Sequence, residues 1–201
     1  MQCLLNNCKW ITVLGVIFLA VGAAIVLSNY FSPKTSSSSN LKVVFLADRP
    51  ELVTNLGNWT YNKWKSYDPT LTLESSIKKY QEKLNRNKVP FVLLLLDNNN
   101  PIGMVSLNEQ EPIEEFKDKS PWIGDFYILP EYDDENIKMR QYLMRNLKGV
   151  AENLKYSKLF VFTSDPSRVD WYMRLGWKIL KTSSFQNHLV TVMEFDVNQD
   201  H

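Results

Sequence analysis

The segment from Phe126 to Leu147 combines the patterns of a strand, a short polar connector and a helix. Many enzymes hold a phosphate at such a junction, because the backbone N–H groups at a helix N-terminus attract anions. Here the connector has no glycine, and it carries the carboxylates of Glu131, Asp133, Asp134 and Glu135. The helix dipole stabilises acidic side chains in a first turn by about 0.3 to 1 kcal/mol each, so these carboxylates need no ligand to explain them. The junction therefore has the layout of an anion site but the charge of a self-capped helix.

Strand patterns flank this junction on both sides. Stretches rich in apolar and β-branched residues predict strands at 41–47, 91–97, 102–108, 121–129, 159–163, 177–182 and 188–197. The stretch at 91–97 is apolar almost throughout, which predicts a central strand. Strand and helix alternate between Ile123 and Thr163 as in a βαβ unit, while hairpins on each side imply antiparallel neighbours. We therefore expect an α+β domain with a mixed central sheet of about six to seven strands flanked by helices.

Helix patterns lie between these strands. Apolar residues at Leu73, Ile77, Tyr80 and Leu84 have helical spacing and predict an amphipathic helix over 73–84. A second helix follows the acidic connector, with Leu143, Leu147, Val150 and Leu154 on one face, and a third, short helix ends at Gly176. Pro50 suits the first turn of a helix. The segment that carries Trp59 and Trp64 is expected to pack over the sheet or to line a groove.

Composition excludes several classes of function. The chain has 201 residues with 44% hydrophobic content, which is enough for one well-buried domain and an appendage. Lys and Arg number 23 against 22 Asp and Glu, so the overall charge does not indicate a nucleic-acid binder. The two cysteines, Cys3 and Cys8, precede the first apolar run, and His188 and His201 lie late and apart. We therefore expect neither a disulfide framework nor a metal site.

The N-terminal run from Trp10 to Leu27 contains no charged residue over 18 positions, close to the length that crosses a bilayer as a helix. We favour an uncleaved single-pass anchor over a signal peptide, because the apolar run is long and cleavage sites are weak. The predicted organisation is a tail at 1–9, a transmembrane anchor at 10–28, a Ser-rich tether at 29–40 and a folded domain at 41–201. Flanking lysines are balanced, so the orientation in the membrane stays open.

Four motifs occur in the order of one known family. FYILPEYDDENIK matches the pattern Val-Tyr-Val-x-Pro-Glu-Tyr-Arg-Gly-x-Gly-Ile-Gly in register at Tyr127, Ile128, Pro130, Glu131, Tyr132 and Ile137. WYMRLGW at 171–177 matches Phe-Tyr-x-x-Leu-Gly-Phe/Trp, and IGMVSL at 102–107 matches a Val-Gly-x-x-x-Leu hairpin strand. PWIGDFYILPEY matches a branch with Pro-Trp-Leu before the signature strand. From Leu41 to Val197 the sequence resembles the GCN5-related N-acetyltransferase (GNAT) family.

The resemblance implies transfer of an acetyl group from acetyl-CoA to an amine, which is a small molecule or a peptide. In this family the signature strand separates from a parallel neighbour, here 159–163, and backbone amides around Tyr127 and Ile128 would polarise the thioester carbonyl. Tyr172 aligns with the general acid that protonates the departing thiolate, although a helix-end aromatic packed on the sheet is an equally good reading of that residue. Glu109, Glu111 and Asp125 are the candidate general bases, because they lie near strand ends that face the substrate in such folds.

The coenzyme loop departs from the family pattern. The resemblance assigns the diphosphate to Asp133, Asp134, Glu135, Asn136, Ile137 and Lys138, where Arg/Gln-x-x-Gly-x-Gly/Ala is usual. Two unit charges at 4 Å repel by about 4 kcal/mol near a protein surface, which would weaken binding by about ten- to a thousandfold. Lys138 and Arg140 offset part of this repulsion. Three readings stay open: an acetyltransferase with weakened or lost activity, a catalytically silent binding module held at a membrane, and a site whose carboxylates bind a cationic ligand.

Overall fold

The computed structural model describes residues 40–110, 113–133 and 137–198, with only the backbone described at 133 and 137. The predicted tail, the transmembrane anchor at 10–28 and nearly all of the tether lie outside these residues. Within them, no helix has both the length and the apolar character needed to span a bilayer.

Seven strands form one sheet in the order β1-β2-β3-β4-β5-β7-β6. Their bounds are β1 Leu41–Phe45, β2 Phe91–Asp97, β3 Asn100–Asn108, β4 Trp122–Ile128, β5 Lys158–Thr163, β6 Lys178–Phe185 and β7 His188–Asp196. Only β4 and β5 pair in parallel, and every other neighbouring pair is antiparallel. The mixed sheet is confirmed, whereas 91–97, expected to be a central strand, lies one strand in from the edge, between β1 and β3. At the β2–β3 turn, Asn98 and Asn99 have φ of 46° and 74°, the left-handed conformation that Asn tolerates.

The described residues contain five α-helices. These are α1 Val53–Trp64, α2 Leu73–Gln81, α3 Pro130–Asp133, α4 Ile137–Asn153 and α5 Pro166–Arg174. The aromatic segment with Trp59 and Trp64 is itself a helix. α2 begins at a capping box, in which Thr72 accepts from the Ser75 amide and the Ser75 hydroxyl accepts from the Thr72 amide. This helix ends at Gln81, earlier than expected, and Leu84 lies beyond it with 37% of its surface exposed.

The helices cover the two faces of the sheet and create separate cores. α1 and α2 pack on one face, where their buried side chains meet the even-numbered residues of β2. The core on this face comprises Leu46, Leu52, Val53, Leu56, Tyr80, Val92, Leu94, Leu96 and Met104. α4 and α5 pack on the opposite face, against Phe91, Leu93, Leu95, Ile123, Ile128, Leu143, Leu147, Trp171 and Tyr172 among others. Strand β4 therefore lies between two helical layers.

Candidate functional site

Strands β4 and β5 separate from one another along their length. Their register contains a single pair, Trp122 with Phe160, and the Phe160 amide donates to the Pro121 carbonyl over 3.0 Å. β4 then continues to Ile128 while pairing only with β3. Unlike a continuous parallel ladder, this arrangement leaves the β5-facing edge of β4 open beyond its first residues. We use the word cleft for this unpaired side of the predicted signature strand, between β4 and β5.

A bulge in β4 lies next to this cleft. The register of β3 and β4 shifts between Met104 and Ser106, and Asp125 has φ of 49°. After the bulge, the Leu129 amide donates to the Ile102 carbonyl over 2.8 Å, towards β3. Successive N–H groups of an extended strand point to opposite edges, so the Ile128 amide points towards β5 and the cleft.

The Asp125 carboxylate lies in a buried network on the α1/α2 face. Lys79 Nζ lies 2.5 Å from Oδ1, Lys83 Nζ lies 3.0 Å from Oδ2, and the Ser106 hydroxyl donates to Oδ2 over 2.9 Å. The Asp125 side chain is 7% exposed. Burial alone would raise the pKa of this carboxyl, but the two ammonium groups hold the pKa well below its ordinary value. Asp125 is therefore ionised, and both of its carboxylate oxygens accept hydrogen bonds.

The same network continues into α1. The hydroxyls of Tyr80 and Thr60 lie 2.5 Å apart in the core, and both lysine ammonium groups lie over the Tyr80 ring, at 5.6 and 5.7 Å from its centroid. Burial and the nearby Asp125 charge raise the pKa of Tyr80 well above its ordinary value. This tyrosine stays neutral and connects α1, α2 and the β4 bulge.

Tyr127 directs its side chain towards α1. Its ring lies 5.7 Å from that of Trp59, and Lys63 Nζ lies 4.7 Å from the Tyr127 centroid. The neighbouring side chain of Phe126 lies on the other face, 5.7 Å from Trp171 of α5. The two faces of β4 thus contact α1 and α5 at adjacent residues.

Tyr172 lies on the α5 side of the sheet. Its side chain is 2% exposed and packs between Trp171 and Trp177, with ring centroids at 4.9 and 5.1 Å. Burial raises the pKa of Tyr172 to about 12, although the guanidinium groups of Arg168 and Arg140 lower it in part. The phenol is therefore protonated at neutral pH. Beside it, the buried indole Nε1 of Trp171 has no hydrogen-bond partner among the described residues.

The structure brings together only some of the predicted site residues. Asp125, Tyr127 and Ile128 lie on one stretch of β4, and Tyr172 lies near that strand through the contact of Trp171 with Phe126. Glu109 is exposed beyond Asn108, which pairs with Trp122 at the opposite end of β4 from Ile128. Glu109 is therefore separated from Asp125, and its role as a base stays a prediction.

Most of the predicted diphosphate loop lies outside the described side chains. Glu111, Asp134, Glu135 and Asn136 fall outside the described residues, and only the backbone is described for Asp133 and Ile137. Lys138 is exposed in the first turn of α4. The assignment of these residues to a coenzyme stays a prediction. No group of three His, Cys, Asp or Glu side chains suited to a metal ion occurs in the described part of the chain.

Sequence reasoning missed the partners of Asp125. Lys79 and Lys83 lie 46 and 42 positions away in the chain. Lys79 is on α2, and Lys83 follows the end of that helix. The one usable signal was that the two lysines are four residues apart, a spacing that would place their side chains on the same side of a helix. That signal does not identify a partner.

Comparison with solved structures reveals a shared fold. The chain superposes on an aminoglycoside 6'-acetyltransferase type Ii with TM-score 0.61 and 14% identity, over 80% of this chain and 99% of that one. YncA, a putative acetyltransferase from Salmonella typhimurium solved with acetyl-CoA, superposes with a TM-score of 0.59 and 15% identity, over 81% of this chain and 97% of that one. A putative phosphinothricin N-acetyltransferase superposes with a TM-score of 0.61 and 12% identity, over 80% of this chain and 100% of that one. The sequence matches no family model and no curated protein. The domain therefore has the fold of these N-acetyltransferases, and the likeness at such identities is one of fold.

Proposed function

We propose that this chain, whose domain has the GNAT fold, transfers an acetyl group from acetyl-CoA to an amine. The observation that carries the proposal is the separation of β4 and β5 after the pair Trp122 and Phe160. Beyond this pair, the edge of β4 that faces β5 makes no ladder hydrogen bonds to it, so the extended arm of a coenzyme could pair with β4 there, and the Ile128 amide points towards that side. The proteins of the same fold named above include one solved with acetyl-CoA, which supports the choice of coenzyme.

The residues along the cleft fit an acyl-coenzyme arm. Ile128 supplies a backbone donor for a thioester carbonyl, and Phe126 and Trp171 supply an aromatic wall. Trp171 Nε1 is a buried donor without a partner in the described part of the chain, and leaving such a group unsatisfied costs about 1 to 3 kcal/mol. An amide oxygen of the arm is the kind of acceptor that this donor lacks. Lys138 and Arg140, in the first turn of α4, would hold the phosphates.

Each residue then has a defined task in the reaction. Acetyl-CoA supplies the activated thioester when it binds. The Ile128 amide stabilises negative charge on the carbonyl oxygen as an amine attacks. The Tyr172 phenol, protonated at neutral pH, would donate its proton to the departing thiolate, and the tyrosinate would regain a proton from the ammonium that the amine forms on attack. The two ammonium groups make Asp125 a weak base, so we assign it to holding the β4 bulge in position instead of proton removal.

Titration of the full chain with acetyl-CoA tests the proposal. We expect calorimetry and thermal shift to detect binding at sub-millimolar acetyl-CoA. Titration with the two fragments, pantetheine and 3'-phospho-ADP, measures binding of the arm and of the phosphates separately. Retained binding of pantetheine with weak binding of the nucleotide indicates a working cleft beside a weakened loop. The absence of any response at several millimolar acetyl-CoA would contradict the proposal that the chain is an acetyltransferase.

A catalytically silent binding module is the second candidate. The observation that favours it is the carboxylate set of the connector, which places like charge where coenzyme phosphates bind in related folds. If this candidate is correct, the domain gains no stability from acetyl-CoA at any concentration. Binding of a polyamine in the absence of coenzyme would instead indicate that the carboxylates bind a cationic ligand.

We further propose that residues 10–28 anchor the chain in a membrane. The support is the uncharged run of 18 residues from Trp10 to Leu27. The full chain should stay in the membrane fraction after alkaline carbonate extraction, and a chain without residues 1–28 should be released. Release of the full chain by carbonate contradicts an anchor.

A further inference from the structure

The connection between α1 and α2 carries a group of exposed apolar side chains. Trp64, the last residue of α1, is 44% exposed, and Tyr67 is 71% exposed, with their ring centroids 5.8 Å apart. Leu73, the first residue of α2, is 37% exposed. Exposed apolar side chains that are grouped instead of scattered mark an interaction surface. We use the name aromatic turn for residues 64–73.

Hydrogen bonds hold the backbone of the aromatic turn. The Tyr67 and Asp68 amides both donate to the Trp64 carbonyl, over 2.8 and 3.0 Å, and the Leu71 amide donates to the Asp68 carbonyl over 3.1 Å. The Asp68 carboxylate accepts from the Thr70 amide over 2.9 Å and from its hydroxyl over 2.6 Å. The turn therefore presents its two rings in a preformed arrangement, which lowers the entropy cost of binding a partner.

The side chains of the aromatic turn and its borders have the chemistry of a membrane interface. Trp and Tyr are enriched where a bilayer meets water, because each has an apolar ring and a polar edge. Residues 63–74 contain two lysines, Lys63 and Lys65, and two carboxylates, those of Asp68 and Glu74. The segment is therefore neutral overall, so burial of the rings among lipid headgroups is the main attraction, and anionic lipid is not required.

The chain enters the domain at the end of the sheet where α1 ends. The Asn98 amide donates to the Asn40 carbonyl over 3.3 Å, so the entry point lies beside the β2–β3 turn. β3 begins after that turn and β4 is antiparallel to it, so Tyr127, the penultimate residue of β4, lies towards the same end. Lys63, the penultimate residue of α1, has its Nζ 4.7 Å from the Tyr127 centroid. Trp64 therefore lies at the end of the sheet that receives the tether.

The length of the tether brings this end of the domain close to a bilayer. Residues 29–40 number twelve, and a fully extended chain of that length spans at most about 40 Å. If residues 10–28 cross a bilayer, the first residue of β1 is held within that distance of its surface. A membrane is then the partner that the aromatic turn meets at the highest local concentration.

We infer that the aromatic turn docks on the headgroup region of a phospholipid bilayer, with Trp64 and Tyr67 as the residues that insert. The inference rests on the proposed anchor only for bringing the domain to the membrane. Docking in this way also turns the end of β4 that carries the Ile128 amide towards the bilayer.

A polarity-sensitive fluorophore on the aromatic turn tests the docking. In a full chain with serine in place of Cys3 and Cys8, the single cysteine of Ser66→Cys carries the fluorophore between the two rings. Asp118→Cys carries it at the opposite end of the sheet, before the first residue of β4. Both chains are reconstituted in phosphatidylcholine vesicles that contain a lipid with a nitroxide at the headgroup. We expect the nitroxide to quench the fluorophore at Ser66→Cys at least about twofold more than at Asp118→Cys.

Substitutions of exposed apolar residues separate docking from folding. Trp64→Ser combined with Tyr67→Ser should lower the quenching at Ser66→Cys to the level seen at Asp118→Cys. Leu189→Ser is the matched control, because Leu189 is 73% exposed at the start of β7, and it should leave the quenching unchanged. Circular dichroism confirms that each variant is folded.

The outcomes distinguish docking from the anchor and from other partners. Equal quenching at Ser66→Cys and Asp118→Cys, or quenching that persists without the two rings, overturns the inference. A fluorophore signal at Ser66→Cys that depends on protein concentration and not on the nitroxide lipid assigns the surface to a second copy of the chain and also overturns it. Release of the chain by carbonate contradicts the anchor alone. The labelled full chain is then added to preformed vesicles, where quenching specific to Ser66→Cys supports docking and its absence overturns it.

Discussion

The charge of Asp125 contributes to the stability of the fold in a defined pH range. Its pKa in the folded domain lies well below the value of about 3.9 for an unfolded chain, because Lys79 and Lys83 stabilise the anion. The resulting stability is fully present above the unfolded pKa and is lost as the pH falls through the lower folded value. Acidification below about pH 4 should therefore weaken the link between β4 and α2.

Replacement of this carboxylate tests that link. We expect Asp125→Asn to lower the free energy of unfolding at pH 7 by about 3 kcal/mol, because two ammonium groups lose their buried counter-charge. The stability difference between variant and natural chain should shrink below pH 4. Urea unfolding at pH 7 and pH 3.5 measures both effects. Asp118→Asn is the control, because Asp118 pairs with Lys119 at the surface and such pairs contribute about 0 to 1 kcal/mol. A constant difference at both pH values contradicts the assignment.

Tyr172 offers a test of proton donation against packing. Tyr172→Phe retains the ring between Trp171 and Trp177, so stability should change little, whereas kcat should fall about a hundredfold if the phenol protonates the thiolate. Burial raises the pKa of Tyr172 to about 12, so this group should cause no loss of rate between pH 7 and pH 10. Steady-state kinetics across this range provides the measurement. Tyr156→Phe, beyond the end of α4, is the control. An unchanged kcat in Tyr172→Phe assigns Tyr172 to packing alone.

At the scale of elements, the approach of β3 to β4 depends on Gly103. A Cβ at this position would lie 2.4 Å from Ile128 Cδ1 and 2.9 Å from the Tyr127 carbonyl oxygen. The side-chain end of Ile128 can move, but the carbonyl belongs to the strand that borders the cleft. The small residue therefore sets the position of the Ile128 amide.

Alanine at two glycines separates this packing effect from helix propensity. We expect Gly103→Ala to lower the free energy of unfolding by about 1 to 3 kcal/mol and to weaken acetyl-CoA binding, because β4 must shift. Gly149→Ala should instead stabilise the chain by about 0.5 to 1 kcal/mol, since nothing lies within 4 Å of a Cβ there and the residue is inside α4. Chemical denaturation and calorimetry provide the two readouts. Equal effects of both substitutions contradict the close-packing argument.

The connector between β4 and α4 can be tested by substituting the residues that the family pattern has at these positions. Combined Asp133→Arg, Asn136→Gly and Lys138→Gly restores the family pattern. We expect coenzyme affinity to rise at least about tenfold, because an arginine in place of a carboxylate outweighs the loss of the Lys138 ammonium. Asp118→Asn adds the same net charge of one unit elsewhere on the surface and should have no such effect. Calorimetric titration with acetyl-CoA compares the two variants. An affinity that does not rise means that the loop is aligned differently with the coenzyme.

At the scale of the whole molecule, the order of elements was predictable because each strand has a local signal. Apolar, β-branched runs marked all seven strands, and the βαβ alternation between Ile123 and Thr163 predicted the single parallel pair. The bounds of the strands agree within a few residues. Local periodicity and chain order together were sufficient for the sheet.

The remaining features depend on contacts between distant residues. A helix was expected to begin at Pro50, and a 3-10 turn at Pro50–Leu52 leads into α1, but the extension of this helix to Trp64 was not predicted. The helix contains Gly57, where a Cβ would lie 2.5 Å from Ile77 Cγ1 of α2. A glycine that weakens helix propensity is required there by close packing of two helices. Asp125 was predicted as a candidate general base near a strand end, but burial and two lysines more than 40 positions away make it the anion of an ion-pair network. No pattern within β4 encodes those partners.

The proposed anchor and the proposed coenzyme constrain each other. Acetyl-CoA is chiefly a cytosolic metabolite, so a chain that uses it must place residues 41–201 on the cytosolic side and the N-terminal tail on the other. Cys3 and Cys8 are the only cysteines of the chain, and both precede the apolar run. In intact cells, a membrane-impermeant maleimide should therefore label the natural chain, and external protease should leave the domain uncut. A variant with serine at both positions and Asp118→Cys on the domain surface should be labelled only after permeabilisation. Labelling of Asp118→Cys in intact cells would place the domain outside the cytosol, and the silent binding module would then be the better account of the acidic connector.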